Sequence, residues 1–332
     1  MALVSICIPT YNYAAFLPRA IQSALDQTYS DIEVVVLDDA STDDTPDVAR
    51  RFEGDPRFRF HRSERNKGLF ANFNNSLEAA SGAYVKVLCA DDWLHPRAIE
   101  DAVAVLERHP SAGMAGSPAW LTDDDDRVTG LRGSPFGSAE LVPSEEAVRG
   151  HADWGNAAGM PTNVLLRARV IEHLGGFEAA FAPASDMHLW LKILAVHDLG
   201  WVAQPRCYMR IHSQHDHGYV YEPSESEFTL WEDMHRRAPD RVGRAILKRA
   251  LRRGAREHLL YAAVNLLRGR VGAARRLAAR TRRHVPVAAA LGSFLLHLPR
   301  LVSGQLLRLL AVRSGRMVVY DPTPRPGARL PD

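Results

Sequence analysis

Three short apolar runs early in the chain each end in a cluster of polar groups, and this pattern restricts the fold more than any other feature. Leu3–Pro9 (LVSICIP) leads into Thr10-Tyr11-Asn12, Ile32–Leu37 (IEVVVL) into Asp38-Asp39, and Tyr84–Leu88 (YVKVL) into Asp91-Asp92. Helical spacing of apolar residues fills the intervals at Ala14–Asp26, from the Ser41–Asp44 caps through Phe52, and at Phe70–Ala80 and His95–Arg108. Phe58–His61 and Gly113–Trp120 read as two further strands. The βαβα alternation predicts an α/β fold: a Rossmann-like, mostly parallel sheet with helices on both faces. In such a sheet the ligand sits outside the carboxyl ends of the strands, which is where the polar clusters fall.

Two carboxylate pairs held rigidly on one rim repel each other, and a divalent cation or a ligand donor would relieve that repulsion. Hard cations such as Mg²⁺ and Mn²⁺ take oxygen ligands and bridge to phosphates. The rim therefore predicts a metal–diphosphate site beside a pocket for a base or sugar. Asp38-Asp39 alone would fit loop capping as well as function; combined with Asp91-Asp92 and the Thr-Tyr-Asn turn it favours function. The Asp123–Asp126 run reads as four solvated charges. A zinc reading of His212, His215 and His217 is disfavoured, since no cysteine accompanies them.

After Trp120 the alternation stops. Residues 121–160 read as a loop-rich excursion, followed by a strand at Thr162–Leu166, a helix over Asp186–His197 and extended chain over Trp201–Ile211. From about residue 235 the pattern is helical and basic: residues 236–332 carry 22 Lys/Arg against 4 Asp/Glu, leaving 19 against 35 in residues 1–235. The expected organisation is a nucleotide-binding half (1–120), an acceptor-binding and catalytic half (121–234), a basic α-helical region (235–312) and a loose tail (313–332). The three cysteines fit buried free thiols better than disulfides. No apolar run reaches the ~20 residues of a membrane span. These features predict a cytoplasmic protein. Its C-terminal helices would pack on the catalytic part, touch the inner membrane surface peripherally with Phe294–Leu310 as anchors, or form a homodimer. The tail has no nucleic-acid-binding motif.

Residues 4–12 (VSICIPTYN), 34–45 (VVVLDDASTDDT), 66–72 (NKGLFAN) and 82–96 (GAYVKVLCADDWLHP) resemble the family 2 glycosyltransferases of the GT-A fold. The resemblance continues through 161–177 (PTNVLLRARVIEHLGGF), 185–192 (SDMHLWLK) and 208–212 (YMRIH), in the family's order. It implies transfer of a sugar from a nucleotide-sugar donor to an acceptor hydroxyl by inversion, with Mn²⁺ or Mg²⁺ as cofactor. The acceptor class would be a glycan, a lipid-linked sugar or a small molecule.

By that resemblance Thr10, Tyr11 and Asn12 line the nucleotide, Asp39 contacts the base with Asp38 beside it, and Asn66 and Lys67 approach base or phosphates. A carboxylate accepting from a ring N–H favours uracil or thymine, although guanine carries the same donor. Asp92 is expected as the direct metal ligand and Asp91 at the ribose or the metal's water shell; Cys89 stands where the family often has a further aspartate. Asp186 matches the catalytic base, with Ser185 where many members have an acidic residue. His212 is expected at the metal and Arg210 at the diphosphate. Residues 155–163 would face the acceptor, and Trp190 belongs to the core. The competing reading is a catalytically silent relative serving as a binding or scaffold module.

Overall fold

The computed structural model describes residues 1–212, 224–286 and 289–290. Its strands are β1 (Val4–Thr10), β2 (Ile32–Asp38), β3 (Phe58–Arg62), β4 (Tyr84–Val87), β5 (Trp93–Leu94) and β6 (Ala112–Gly116). They continue with β7 (Ala119–Thr122), β8 (Val128–Arg132), β9 (Leu141–Val142), β10 (Val164–Arg167), β11 (Asp198–Trp201) and β12 (Cys207–Arg210). The helices are α1 (Leu17–Leu25), α2 (Thr45–Arg50), α3 (Leu69–Ala79), α4 (Ala98–Arg108) and α5 (Ser144–Trp154). After them come α6 (Ala168–Leu174), α7 (Ser185–Leu194), α8 (Ser226–Arg237), α9 (Arg244–Leu267) and α10 (Val271–His284).

The central sheet runs β3-β2-β1-β4-β10-β6-β11-β9. β1 and β2 are buried on both faces, as their unbroken apolar runs require. The β1–β2, β1–β4, β2–β3 and β6–β11 pairs are parallel. β10 enters antiparallel between β4 and β6, so the sheet is mixed rather than parallel throughout. The stretch expected as one strand over Gly113–Trp120 divides at Ser117-Pro118 into β6, in the central sheet, and β7, in a second sheet of order β5-β12-β7-β8. Likewise the extended Trp201–Ile211 is two strands, one in each sheet. The region expected to be loop-rich holds β8, β9 and α5, whose apolar face is only Ala147, Val148 and Ala152 around a buried His151.

At the amino ends of the strands a buried polar knot closes the sheet. Ser5 Oγ donates to Glu33 and accepts from Gly82 N at 2.8 Å, while Ser81 N donates to Glu33 Oε1 at 2.9 Å. A methyl group on Gly82 would lie 2.5 Å from Leu3 O and 2.8 Å from Ser5 N, both backbone atoms. Gly82→Ala is therefore expected to cost about 1–3 kcal/mol of stability, as overpacking does, read as a lowered midpoint in urea unfolding.

The basic helices pack on the rest of the chain. Arg253 of α9 is buried and donates to Glu227 Oε1 of α8 at 2.6 Å, to Glu257 Oε1 at 2.8 Å and to Ala152 O of α5 at 3.2 Å. Two carboxylates around one guanidinium meet the demand that a buried charge be paired. Among the described residues no helix is long and apolar enough to cross a membrane. His215, His217, the Phe294–Leu310 stretch and the tail 313–332 lie outside the described residues.

Candidate active site

The carboxyl ends of β1, β2 and β4 converge, as the apolar runs predict, and each polar cluster has its own geometry. Asn12 takes a left-handed φ of 58°, tolerated by Asn, and accepts from Thr42 N at 2.8 Å while its own N donates to Ser41 Oγ at 2.8 Å. Tyr11 is exposed at the rim, and the buried Thr10 Oγ1 has no partner among the described residues. Asp39 is buried and accepts from Lys67 N at 2.9 Å and Gly68 N at 2.8 Å, so it holds the Asn66–Gly68 loop against the rim. Asn66 and Lys67 are both exposed, and Asn66 Oδ1 accepts from Gly68 N at 2.9 Å. Asp38 points inward: it is fully buried, accepts from Ser41 N at 3.0 Å and pairs with Arg62 at 3.3 Å. Asn72 of α3, which motif reading missed, donates to Leu37 O at 2.9 Å and ties the helix to the end of β2.

Asp91 and Asp92 diverge. Asp92 is buried; Oδ2 accepts from Thr162 Oγ1 at 2.6 Å and Oδ1 from Arg210 N at 2.9 Å. Burial, then the Asp91 charge, push its carboxyl well above the usual range. Each oxygen of the expected direct metal ligand thus already accepts one hydrogen bond from the protein. Lys86, behind it on β4, is itself buried, which lowers its ammonium to about 8 against the pull of Cys207, Cys89 and Asp92. A lysine inside YVKVL was the sequence signal for this counter-charge. Cys89, at the family's usual aspartate position, is a thiol raised by burial, with its N donating to Thr162 Oγ1 at 3.2 Å.

Asp91 remains partly open, its side chain 20% exposed, and Oδ2 meets His212 Nε2 at 3.0 Å. His212 Nδ1 meets Asp124 Oδ1 at 3.1 Å, and its ring lies edge-on to Phe16 at 5.0 Å. Hydrogen bonding to Asp91, supported by Asp124, raises the imidazole above its ordinary value. Arg210, expected at the diphosphate, is engaged within the protein. Its guanidinium donates to Asp123 O at 2.9 Å, Asp91 O at 3.3 Å and the Asp126 carboxylate, and Asp126 also pairs with Arg19. The Asp123–Asp126 run is therefore partnered rather than simply solvated: Asp123 Oδ1 closes its own turn, accepting from Asp125 N and Arg127 N at 3.0 and 2.9 Å.

Asp186 stands in the first turn of α7, where the helix dipole favours a carboxylate. It is buried, accepting from Met187 N at 2.7 Å and from Asn156 Nδ2 at 2.7 Å. Burial pushes its pKa up to about 6, against the lowering effects of Met187 N–H, Arg132 and Asn156. Arg132 of β8, unforeseen in the sequence, donates to Asn156 O at 2.9 Å. Ser185 is buried with an unpartnered hydroxyl. Trp190 is core, as expected, and its Nε1 donates to Gly159 O at 2.8 Å, fixing the 155–159 loop to α7. His151 supports that loop through Ala158 N at 3.3 Å, its imidazole held down at about 4 by burial.

Among the described residues no group of three or more His, Cys, Asp or Glu is arranged to hold a metal by itself. Asp91 supplies one partly open carboxylate, and His212 beside it an imidazole that could join an ion only by giving up its contact with Asp91 and the Nε2 proton, Nδ1 staying on Asp124. That donor set fits a Mg²⁺- or Mn²⁺-type ion held by few protein ligands and completed by substrate phosphates.

A mainly parallel sheet with acidic strand ends, continued by an antiparallel strand and a second small sheet, is the GT-A class of fold. The sequence profile of glycosyl transferase family 2 matches residues 5–175, and the chain belongs to that family. An uncharacterised protein of Mycobacterium tuberculosis is 32% identical over 203 residues, 58% of this chain and 62% of that protein. Chondroitin synthase of Escherichia coli is 42% identical over 99 residues, 30% of this chain, which spans only 14% of that enzyme. Among solved structures, S. aureus TarS residues 1–349 in complex with UDP-GlcNAc is 17% identical at a TM-score of 0.63, covering 96% of this chain and 94% of that one. The mannosyltransferase PcManGT from Pyrobaculum calidifontis, in complex with GDP-Man and Mn²⁺, is 19% identical at a TM-score of 0.56, with 93% and 81% covered. At these identities the two structures establish a common fold.

Proposed function

We propose that this glycosyltransferase moves a sugar from a UDP- or dTDP-sugar to an acceptor hydroxyl with inversion, in the assembly of a polysaccharide, a lipid-linked glycan or a natural product. The observation that carries the reading is the division of labour among three carboxylates: Asp91 open beside His212, Asp92 buried beneath it, and Asp186 with its pKa raised to about 6 on a different element. Environments that separate the pKa values of nearby acids also separate their roles. Residues 1–120 hold the donor and 121–234 the acceptor and base, although both contribute strands to one sheet.

Tyr11 and the loop anchored on Asp39 form the base-binding edge, with Asn12 shaping it and Thr10 Oγ1 as a spare polar group; Asp38 holds the edge from inside. Asn66 and Lys67 lie at its mouth, Lys67 within reach of phosphate. Asp91 would be the metal's first protein ligand, with His212 Nε2 joining it after losing its proton to solvent and its bond to Asp91, and Arg210 orders the turn around them. When bound, the metal stabilises negative charge on the leaving nucleotide. Asp186 Oδ takes the acceptor proton as the hydroxyl oxygen attacks the anomeric carbon. Asn156 and Arg132 keep that carboxylate oriented and ionised, and the 155–159 loop walls off the acceptor side. The complexes of the structural relatives with UDP-GlcNAc and with GDP-Man and Mn²⁺ support a nucleotide-sugar donor and a divalent ion.

Calorimetry with UDP, dTDP and GDP, each with and without Mn²⁺ or Mg²⁺, tests this. The expected result is binding of UDP or dTDP that strengthens at least about tenfold with metal, the range seen when a metal site is perturbed. Binding of GDP alone would overturn the donor assignment, and no binding of any nucleotide would favour the silent-module reading.

A further inference from the structure

Leu266, Leu267 and Val271 are 54%, 71% and 45% exposed within the single turn that joins α9 to α10. The turn is well built. Gly269 N donates to Leu266 O at 2.9 Å and Arg270 N to Asn265 O at 2.8 Å, with Gly269 at φ 71°. Those two bonds around a left-handed glycine make the Schellman stop. The hydrophobic contact that often accompanies it is missing, because the positions concerned are Asn265 and Arg270. The apolar residues stand on the outside instead. No Asp or Glu occurs between Glu257 and Asp321, and Arg270 in the turn and Arg275 and Arg276 in the second turn of α10 are exposed.

We propose that this tip docks the protein on an anionic lipid surface, the leucines inserting at the headgroup boundary and the arginines facing lipid phosphates. An apolar point rimmed by charge of one sign is the composition that interfacial docking requires. A second copy placed symmetrically on the same surface would oppose arginine to arginine. Arg253, whose guanidinium touches the space beside Gly155 at 3.2 Å, lies on the same helix as the tip. At 1.5 Å per residue the tip is about 20 Å along α9 from that loop. Docking would then hold the acceptor side within reach of the sugar of a lipid-linked acceptor; only this last consequence rests on the proposed function.

Co-sedimentation with vesicles of phosphatidylcholine alone, or mixed equally with phosphatidylglycerol, tests the docking. The wild type is expected to sediment with the anionic vesicles and to be released as salt is raised. Leu266→Ser/Leu267→Ser is expected to lower the bound fraction about tenfold or more at an unchanged thermal midpoint, and Arg270→Glu/Arg275→Glu/Arg276→Glu to do the same. Wild-type protein that stays in the supernatant overturns the proposal, as does equal binding to neutral vesicles or a leucine variant that binds like wild type. A leucine variant that turns a dimer into a monomer by light scattering with vesicle binding unchanged assigns the tip to a second copy and also overturns it. UDP binding measured on the same samples separates failure of docking from failure of the transferase reading.

Discussion

Asp186→Asn is expected to lower kcat by about 10²–10⁴, the usual contribution of a positioned general base, while nucleotide affinity stays at the wild-type level. The side chain that replaces it can keep both local contacts. Its amide oxygen accepts from Met187 N in place of Oδ1, and its NH₂ meets Asn156 Oδ1, a buried atom with no present partner, once the Asn156 amide turns over. The fold therefore survives and the loss is chemical. The pH profile provides a second readout. Because burial raises the Asp186 pKa to about 6, the carboxylate form that accepts a proton predominates only above that pH. Wild-type kcat/KM should fall about tenfold per pH unit below it, and the residual activity of the variant should lack this limb. The stability sign is opposite. A carboxyl whose folded pKa is raised stabilises most below its unfolded value, and that contribution is lost as pH rises through about 6. Above that pH Asp186→Asn should thus be as stable as the wild type or more so, by up to about 3 kcal/mol. A folded variant that keeps full kcat, or a wild-type profile without the acid limb, removes Asp186 from the base role.

The rim of the sheet was legible because its signal is local. β1, β2 and β4 are apolar runs buried on both faces, and a buried run must deliver whatever follows it to the sheet's end. The direction of β10 was not legible, since Val164–Arg167 pairs with β4 and β6 antiparallel through backbone groups that carry no sequence mark. The division of Gly113–Trp120 had a mark in Pro118, which cannot donate to a ladder, and the chain changes sheets there. Asp123–Asp126 misled for a different reason. Judged alone, four like charges belong in water, but the partners Arg19, Arg210 and His212 come from a helix, a strand and a loop that only the fold brings near. Arg210 was expected at a phosphate for its charge, and its guanidinium also binds that turn within the protein. Chemistry-bearing residues could be found from sequence; which of them face a ligand depends on long-range contacts.

The Asp91–Asp92 pair shows that distinction most sharply and carries the second large expected effect. Asp91→Asn should abolish the strengthening of UDP binding by Mn²⁺ with little change in thermal midpoint, because among the described residues its carboxylate meets only His212 and is otherwise partly open. Asp92→Asn should bind UDP and Mn²⁺ like the wild type. Its amide oxygen still accepts from Arg210 N, its NH₂ can donate to Thr162 Oγ1, and a buried negative charge disfavoured by its surroundings is removed. Asp92→Ala should instead lose about 1–3 kcal/mol of stability, the cost of leaving a buried donor without an acceptor. It should loosen the end of β12, and with it His212 two residues beyond Arg210. Calorimetric titrations of the three variants, set beside their unfolding midpoints, decide the matter. If Asp92→Asn folds normally yet loses metal-dependent binding, Asp92 is the ligand after all, and its contacts with Thr162 and Arg210 must open when the ion enters. If only Asp91→Asn loses it, the buried carboxylate is a strut, and the metal is held by the residue that this strut leaves free to turn outward.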